Sequence, residues 1–166
     1  MPVHRFFYRL GSKIEHCEKK YGTLVPKNYK KWVIICEHII RHYNCGWAEG
    51  FYWNIEYRER WNEPNLDADD AQNKRNWSGT AQEFYGFYDA SSRNLKSVFP
   101  DLKIGRIGFV LTGNTYNWLD GFFAYLTRTD DRAPMDFFSW HIGMDIEKYL
   151  GADALTLTLN QSSYGM

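Results

Sequence analysis

Short apolar runs alternate with segments of helical periodicity along this chain, and that alternation restricts the available folds more than any other feature. Residues 5–10 read as a short strand closed by Gly11, and a polar loop over 12–21 carries Glu15 and His16. Pro26 opens a helix, where its missing N–H is an orphan in any case. Trp32, Ile35, Cys36, Ile39 and Tyr43 recur on it at helical spacing, and Asn44 and Gly46 end it. A strand follows over 55–63, then a polar loop over 65–77. Thr80-x-x-Glu83 is a capping-box signature for a helix bearing Phe84, Phe87, Tyr88, Leu95 and Val98, which Pro100 stops. Residues 102–111 read as the next strand. Asn114 or Thr115 caps a helix with Trp118, Leu119, Phe122, Phe123 and Leu126 on its buried side. Residues 135–142 form another strand, 145–150 at most a short helix, and 155–161 the last strand. Strands alternating with helices imply parallel pairing and right-handed crossovers, so the fold class is α/β with about five parallel strands. The 166 residues read as one domain, short of the roughly 250 typical of an eight-fold α/β barrel.

Within that plan one strand end stands out. Period-2 alternation puts Tyr57, Glu59, Trp61 and Glu63 on one face and Arg58 and Arg60 on the other, where apolar packing against helices is expected. Pro64 lacks an N–H and stops the ladder, leaving Glu63 at the strand's C-terminal mouth. That edge is the functional one in parallel α/β folds. Asn62, Trp61, His141 and Gln161 also fall at expected C-terminal strand ends, and Glu15-His16 follows the first strand. His141 taken alone reads equally as a hydrogen-bonded interior histidine. Aromatic residues make up 18% of the chain, which suits a core and also a cleft that stacks on sugar rings.

Other chemistries find little support. Lys+Arg and Asp+Glu number 20 each, so the neutral chain is not built for nucleic acid or anionic membranes. No apolar run approaches the ~20 residues of a membrane span. Three cysteines without metal spacing, and no secretory signal at the start, fit a cytoplasmic location. His38 and His42 stand one helical turn apart, but Ile39 occupies the position where a metalloprotease helix needs Glu. Gly105, Gly108 and Gly113 make no dinucleotide fingerprint, and there is no Gly-x-Ser-x-Gly elbow.

Trp-Asn-Glu-Pro-Asn at 61–65 resembles the retaining glycoside hydrolases built on (β/α)8 barrels. Arg-Leu-Gly at 9–11, Ile-Glu-His at 14–16 and Cys-Glu-His-Ile-Ile-Arg-His-Tyr-Asn at 36–44 narrow the likeness. Trp-Ser-Gly-Thr at 77–80 and Asp-Phe-Phe-Ser-Trp-His-Ile at 136–142 narrow it further. Together they resemble glycoside hydrolase family 39, the β-xylosidase and α-L-iduronidase family. The resemblance implies a partial TIM barrel, strands three to seven of the family plan, in which Glu63 is the general acid/base. Asn62 then bonds the sugar 2-hydroxyl, and Trp61, His141, Trp140, His16, Asn160 and Tyr164 line the substrate subsite.

The family's nucleophile position falls on Gln161, an amide where a carboxylate is needed; Arg106, Ile107 and Gly143 also depart from the pattern. The resemblance implies no metal and no organic cofactor, with a xyloside or xylo-oligosaccharide as ligand. Three readings stay open. The chain hydrolyses β-xylosides with retention, or is a pseudoenzyme or barrel fragment that at most binds carbohydrate through Trp61, Trp140 and Tyr164. Otherwise it is an interaction module that self-associates through open sheet edges.

Overall fold

The computed structural model describes residues 7–11, 14–105, 108–111 and 116–142. The strand expected over 155–161 and the helix over 145–150 lie outside the described residues, and with them Asn160, Gln161 and Tyr164. Within the described residues the order is β1 (Phe7–Leu10), α1 (Tyr29–Cys45), β2 (Tyr57–Arg60), α2 (Ala81–Val98), β3 (Lys103–Gly105), β4 (Phe109–Leu111), α3 (Tyr116–Leu126) and β5 (Trp140–Ile142). Every pairing is parallel: β1–β2–β3 form one sheet and β4–β5 a second. Helices supply the crossovers that parallel neighbours require. No helix among the described residues is long and apolar enough to cross a membrane.

Local chemistry sets most boundaries. The helix expected from Pro26 starts at Tyr29, because Asn28 is the residue whose side-chain oxygen accepts the Lys31 N–H at 3.0 Å. Thr80 and Glu83 make the reciprocal capping box of α2. The strand expected over 102–111 is two strands in two sheets. Gly108 adopts a left-handed conformation (φ 54°), and a ladder does not run through such a residue. Likewise only Trp140–Ile142 of the strand expected over 135–142 is regular, preceded by an isolated bridge from Phe137 to Gly105.

Two apolar clusters fill the space between sheets and helices. Leu10, Val33, Cys36, Ile40, Leu95, Leu102 and Ile104 close the β1–β3 sheet against α1 and α2. An aromatic cluster built on Trp61, Trp77, Phe84, Phe87, Tyr88, Phe109, Trp118 and Phe122 joins α2, α3 and β4. Burial pushes the Cys36 thiol up to about 12, with only a small opposing pull from Arg60, so it packs as a neutral side chain. The other sheet face, which would line a barrel, carries Phe7, Tyr57 and Phe137 in ring contact and the Arg9–Glu59 pair at 2.7 Å.

Arg58 and Arg60 occupy helix-facing positions where apolar residues are expected, and both are buried, at 1% and 0% exposed. Arg58 lies over the Tyr8 ring and donates to the Tyr57 carbonyl. Arg60 lies 4.7 Å over the Tyr88 ring and donates from Nη2 to Ser92 Oγ at 2.8 Å. Nε of both residues and Nη1 of Arg60 have no hydrogen-bond partner among the described residues. Burial therefore lowers both, Arg58 to about 10. An aromatic face replaces only part of the lost hydration.

The buried Arg60 charge makes a test. Arg60→Met keeps the length of the side chain and leaves Ser92 bonded to the Tyr88 carbonyl. It is expected to raise stability by about 1–4 kcal/mol, as buried charges replaced by apolar groups often do. Ser92→Ala removes the hydroxyl that accepts from Arg60 Nη2 and should cost about 1–3 kcal/mol. Urea denaturation measures both; a loss of stability in Arg60→Met refutes the account.

Asp89 gives a pH test. Burial raises its carboxyl, but hydrogen bonds and charges from Arg128 and Arg93 outweigh it and the net shift is downward. A depressed folded value contributes stability that is complete above the unfolded value of about 3.9 and is lost as pH falls through the folded one. Asp89→Asn should therefore be less stable near neutrality and converge with the parent in strong acid. Parallel stability–pH curves would contradict this.

Candidate functional site

The site forms where the C-terminal ends of β2 and β5 meet, and the backbone after Arg60 decides what points where. Trp61 and Glu63 are both left-handed, at φ 62° and 44°. Two such residues end the period-2 alternation, so the strand stops at Arg60 and does not run to Glu63. Trp61 N–H still reaches the Leu10 carbonyl at 2.8 Å. Its indole, however, turns into the aromatic core against Trp77 and Phe87, 3% exposed. The indole N–H donates to the Asn76 carbonyl at 2.8 Å. Trp61 is thus a core residue, not the sugar-stacking surface expected of it. Gly11 makes room for it: a Cβ there would stand 2.8 Å from the Trp61 ring.

Glu63 emerges on the opposite side. Its carbonyl is held twice, by Asn76 Nδ2 and by Leu66 N–H, each at 3.1 Å. Its carboxylate hydrogen-bonds His141 Nδ1, from a strand 78 residues further along the chain. The Glu63 side chain is 12% exposed and that of His141 34%, so the pair is sheltered yet reachable. Asn62 is buried beside it, and its Oδ1 has no hydrogen-bond partner among the described residues. Gly108 forms the floor: a Cβ there would lie 3.2 Å from the His141 ring and 3.6 Å from Asn62 Oδ1. Asn62, Glu63 and His141 therefore converge on one point. They present a carboxyl group, an imidazole and a free amide acceptor, which suits proton transfer to or from a hydroxylated ligand.

Other expected residues are placed elsewhere. Alternation along β5 sends Trp140 to the face opposite His141, where it stacks on Phe138 at 5.8 Å, so it does not wall this pocket. His16 is exposed and takes no part in the hydrogen bonds of the site. The neighbouring Glu15 uses its carboxylate to hold the Tyr21 and Gly22 amides. His38 stacks on Trp47 and His42 shares a hydrogen bond with the Trp47 carbonyl. Among the described residues no group of three or more His, Cys, Asp or Glu is placed to hold a metal ion.

Three contributors were not singled out from the sequence. Asn65 bonds both the N–H and the C=O of Val110, Asn76 holds the Glu63 carbonyl, and Gly108 makes space for His141. Only Asn65 had a signal, its place in Trp-Asn-Glu-Pro-Asn.

Residues 12–157 match the model of the glycosyl hydrolases family 39. A β-xylosidase of Geobacillus stearothermophilus is 33% identical over 127 residues, which are 74% of this chain and 22% of that protein. The crystal structure of a glucosidase from Croceicoccus marinus superposes with a TM-score of 0.65 at 29% identity, over 82% of this chain and 26% of that one. A GH39 enzyme from Xanthomonas axonopodis pv. citri shares the fold, with a TM-score of 0.56 at 23% identity over 80% of this chain and 25% of that one. The chain thus spans about a quarter of the length of these relatives.

Gly108→Ala tests the floor. Alanine at a left-handed position costs about 1–2 kcal/mol, and its methyl presses on His141. Urea denaturation should show at least that loss, and the His141 ring resonances should shift. Unchanged stability and unmoved resonances would mean that the site has slack at Gly108.

Proposed function

The chain belongs to the glycosyl hydrolases family 39, and from that premise we propose that its site is the acid/base half of a retaining glycosidase acting on β-xyloside-type bonds. The observation that carries the reading is the sheltered Glu63–His141 pair at the C-terminal strand ends, with the free Asn62 Oδ1 beside it. Glu63 gives its proton to the departing glycosidic oxygen and later takes one from the attacking water, as retention requires of a single carboxyl group. His141 orients that carboxyl through Nδ1. Asn62 accepts a hydrogen bond from a sugar hydroxyl, which satisfies a buried oxygen that has no partner among the described residues.

The second carboxyl of such a mechanism stands roughly 5–5.5 Å away. In this reading Gln161 occupies its position. An amide does not form the glycosyl-enzyme, so the unmodified chain binds sugar and turns it over at background rate. Nearby carboxylates are engaged: Glu59 pairs with Arg9, and Glu15 braces its own loop. The pentoside preference follows the β-xylosidase relative, and the glucosidase relative makes an aryl glucoside the necessary comparison.

Hydrolysis of aryl β-xylosides and glucosides by the full chain tests the proposal. Gln161→Glu should raise turnover above background. Glu63→Gln in that background should remove the gain, by about 10²–10⁴-fold if general acid–base help is what it supplies. Robust hydrolysis with retention by the unmodified chain would show that a different carboxylate is the nucleophile. A Glu63→Gln variant as active as its parent would refute the acid assignment.

A further inference from the structure

We propose that Asn65 is a positioning residue, which sets Glu63 against His141 by standing in for a missing neighbour strand of β4. Its carboxamide is 3% exposed. Nδ2–H donates to the Val110 carbonyl at 2.8 Å, and Oδ1 accepts the Val110 N–H at 3.0 Å. Those are the two backbone groups that an adjacent strand would otherwise pair. On its other side Val110 is the register partner of His141. His141 reaches back to the Glu63 carboxylate through Nδ1, and Pro64 alone separates Glu63 from Asn65.

These contacts close a ring: Glu63, Pro64, Asn65, Val110, His141 and Glu63 again. Its covalent segment is stiff, because proline fixes φ and the Glu63 carbonyl is pinned by Asn76 and Leu66. Its other segments are the buried hydrogen bonds of Asn65, the β4–β5 ladder in which Val110 is the register partner of His141, and the His141–Glu63 hydrogen bond. Leaving a buried hydrogen bond unmade costs the desolvation of both partners. The carboxyl group therefore does not shift against the imidazole unless a link opens. A carboxamide is the group for this task, since it offers one donor and one acceptor side by side. Aspartate keeps the acceptor but sets an anion against the Val110 carbonyl.

The catalytic meaning rests on the proposed acid role of Glu63, but the ring is read without turnover. A residue that merely tethers β4 and a residue that couples β4 to the acid differ in reciprocity: coupling acts equally in both directions. Glu63→Gln leaves both Asn65 hydrogen bonds chemically intact. If the ring is closed, that change should speed exchange of the Val110 amide by about tenfold, a coupling typical of one hydrogen-bond network. Conversely, Asn65→Ala should move the His141 Nδ1 resonance toward its position in Glu63→Gln. Asn94→Ala, whose side chain bonds only within its own helix turn, should move neither.

Nitrogen-15 NMR of the full chain supplies both readouts. Val110 exchange within about twofold of the parent in Glu63→Gln overturns the proposal, whatever Asn65→Ala does, because that is far below the coupling of a shared network. Should Asn65→Ala fail to fold, the Glu63→Gln arm decides alone. Failure of the acid assignment is a separate result: hydrolysis indifferent to Glu63→Gln would leave the ring standing, and normal Val110 exchange would leave the acid standing.

Discussion

The reversal of backbone hand at Trp61 and Glu63 is the constraint on which the rest of the molecule depends. Each left-handed residue costs about 1–2 kcal/mol in an L-amino acid chain. What offsets it is visible on both sides of the turn. Below, the indole is buried among Trp77 and Phe87 with its N–H bonded to the Asn76 carbonyl. Above, the carboxamide of the same Asn76 holds the Glu63 carbonyl. One buried asparagine thus serves Trp61 and Glu63 together. Strain held in this way by a well-packed surround is the pattern of functional sites.

Breaking the sheet between Gly105 and Phe109 has a similar solution. Two strand segments end there, and in each case a polar side chain takes up backbone groups at the edge. Asp136 accepts the Ile104 N–H through its carboxylate at 2.7 Å while its own N–H donates to the Ile104 carbonyl. Asn65 bonds both groups of Val110. Short polar side chains are able to imitate a strand at one residue because they carry hydrogen-bonding atoms at nearly peptide spacing. The break brings His141 opposite Glu63, since the β4–β5 register places Val110 beside it. The imidazole also needs the space left by the absent side chain of Gly108, where a Cβ would stand 3.2 Å from its ring.

Much of this was legible beforehand. Helical periodicity located all three described helices, and the Thr80–Glu83 pair gave the start of α2 to the residue. Glu63 was readable because proline reports the end of a strand, although β2 stops three residues earlier at Arg60, and His141 falls in the expected strand, at the middle of β5. Trp61 was misplaced for an equally physical reason. Alternation holds only while φ stays negative, and nothing in Arg60-Trp61-Asn62 announces a left-handed residue of that bulk. The break at Gly108 was hidden by the apolar run around it, which satisfied the strand pattern. Alternation put Arg58 and Arg60 on the helix-facing side, against their charge, and that is where they lie. They are buried because the register fixed by Leu10, Ile104 and the Tyr57–Glu59 face leaves them no other side.

On the proposed reading, the two carboxyl positions of the site come from different strands, and that separation has a consequence for this chain. Among the described residues, Glu63 is supported from several directions: the Leu10 carbonyl holds the turn before it, Leu66 and Asn76 hold its carbonyl, and Asn65, Val110 and His141 link it to β4 and β5. In that reading, exchanging a carboxylate for an amide at the nucleophile position removes chemistry while these supports stay in place. On the proposed reading, sugar recognition and bond cleavage come apart at a single residue. The Asn62 acceptor and the Glu63–His141 pair remain a preformed subsite, while turnover waits on a second anion at the right distance.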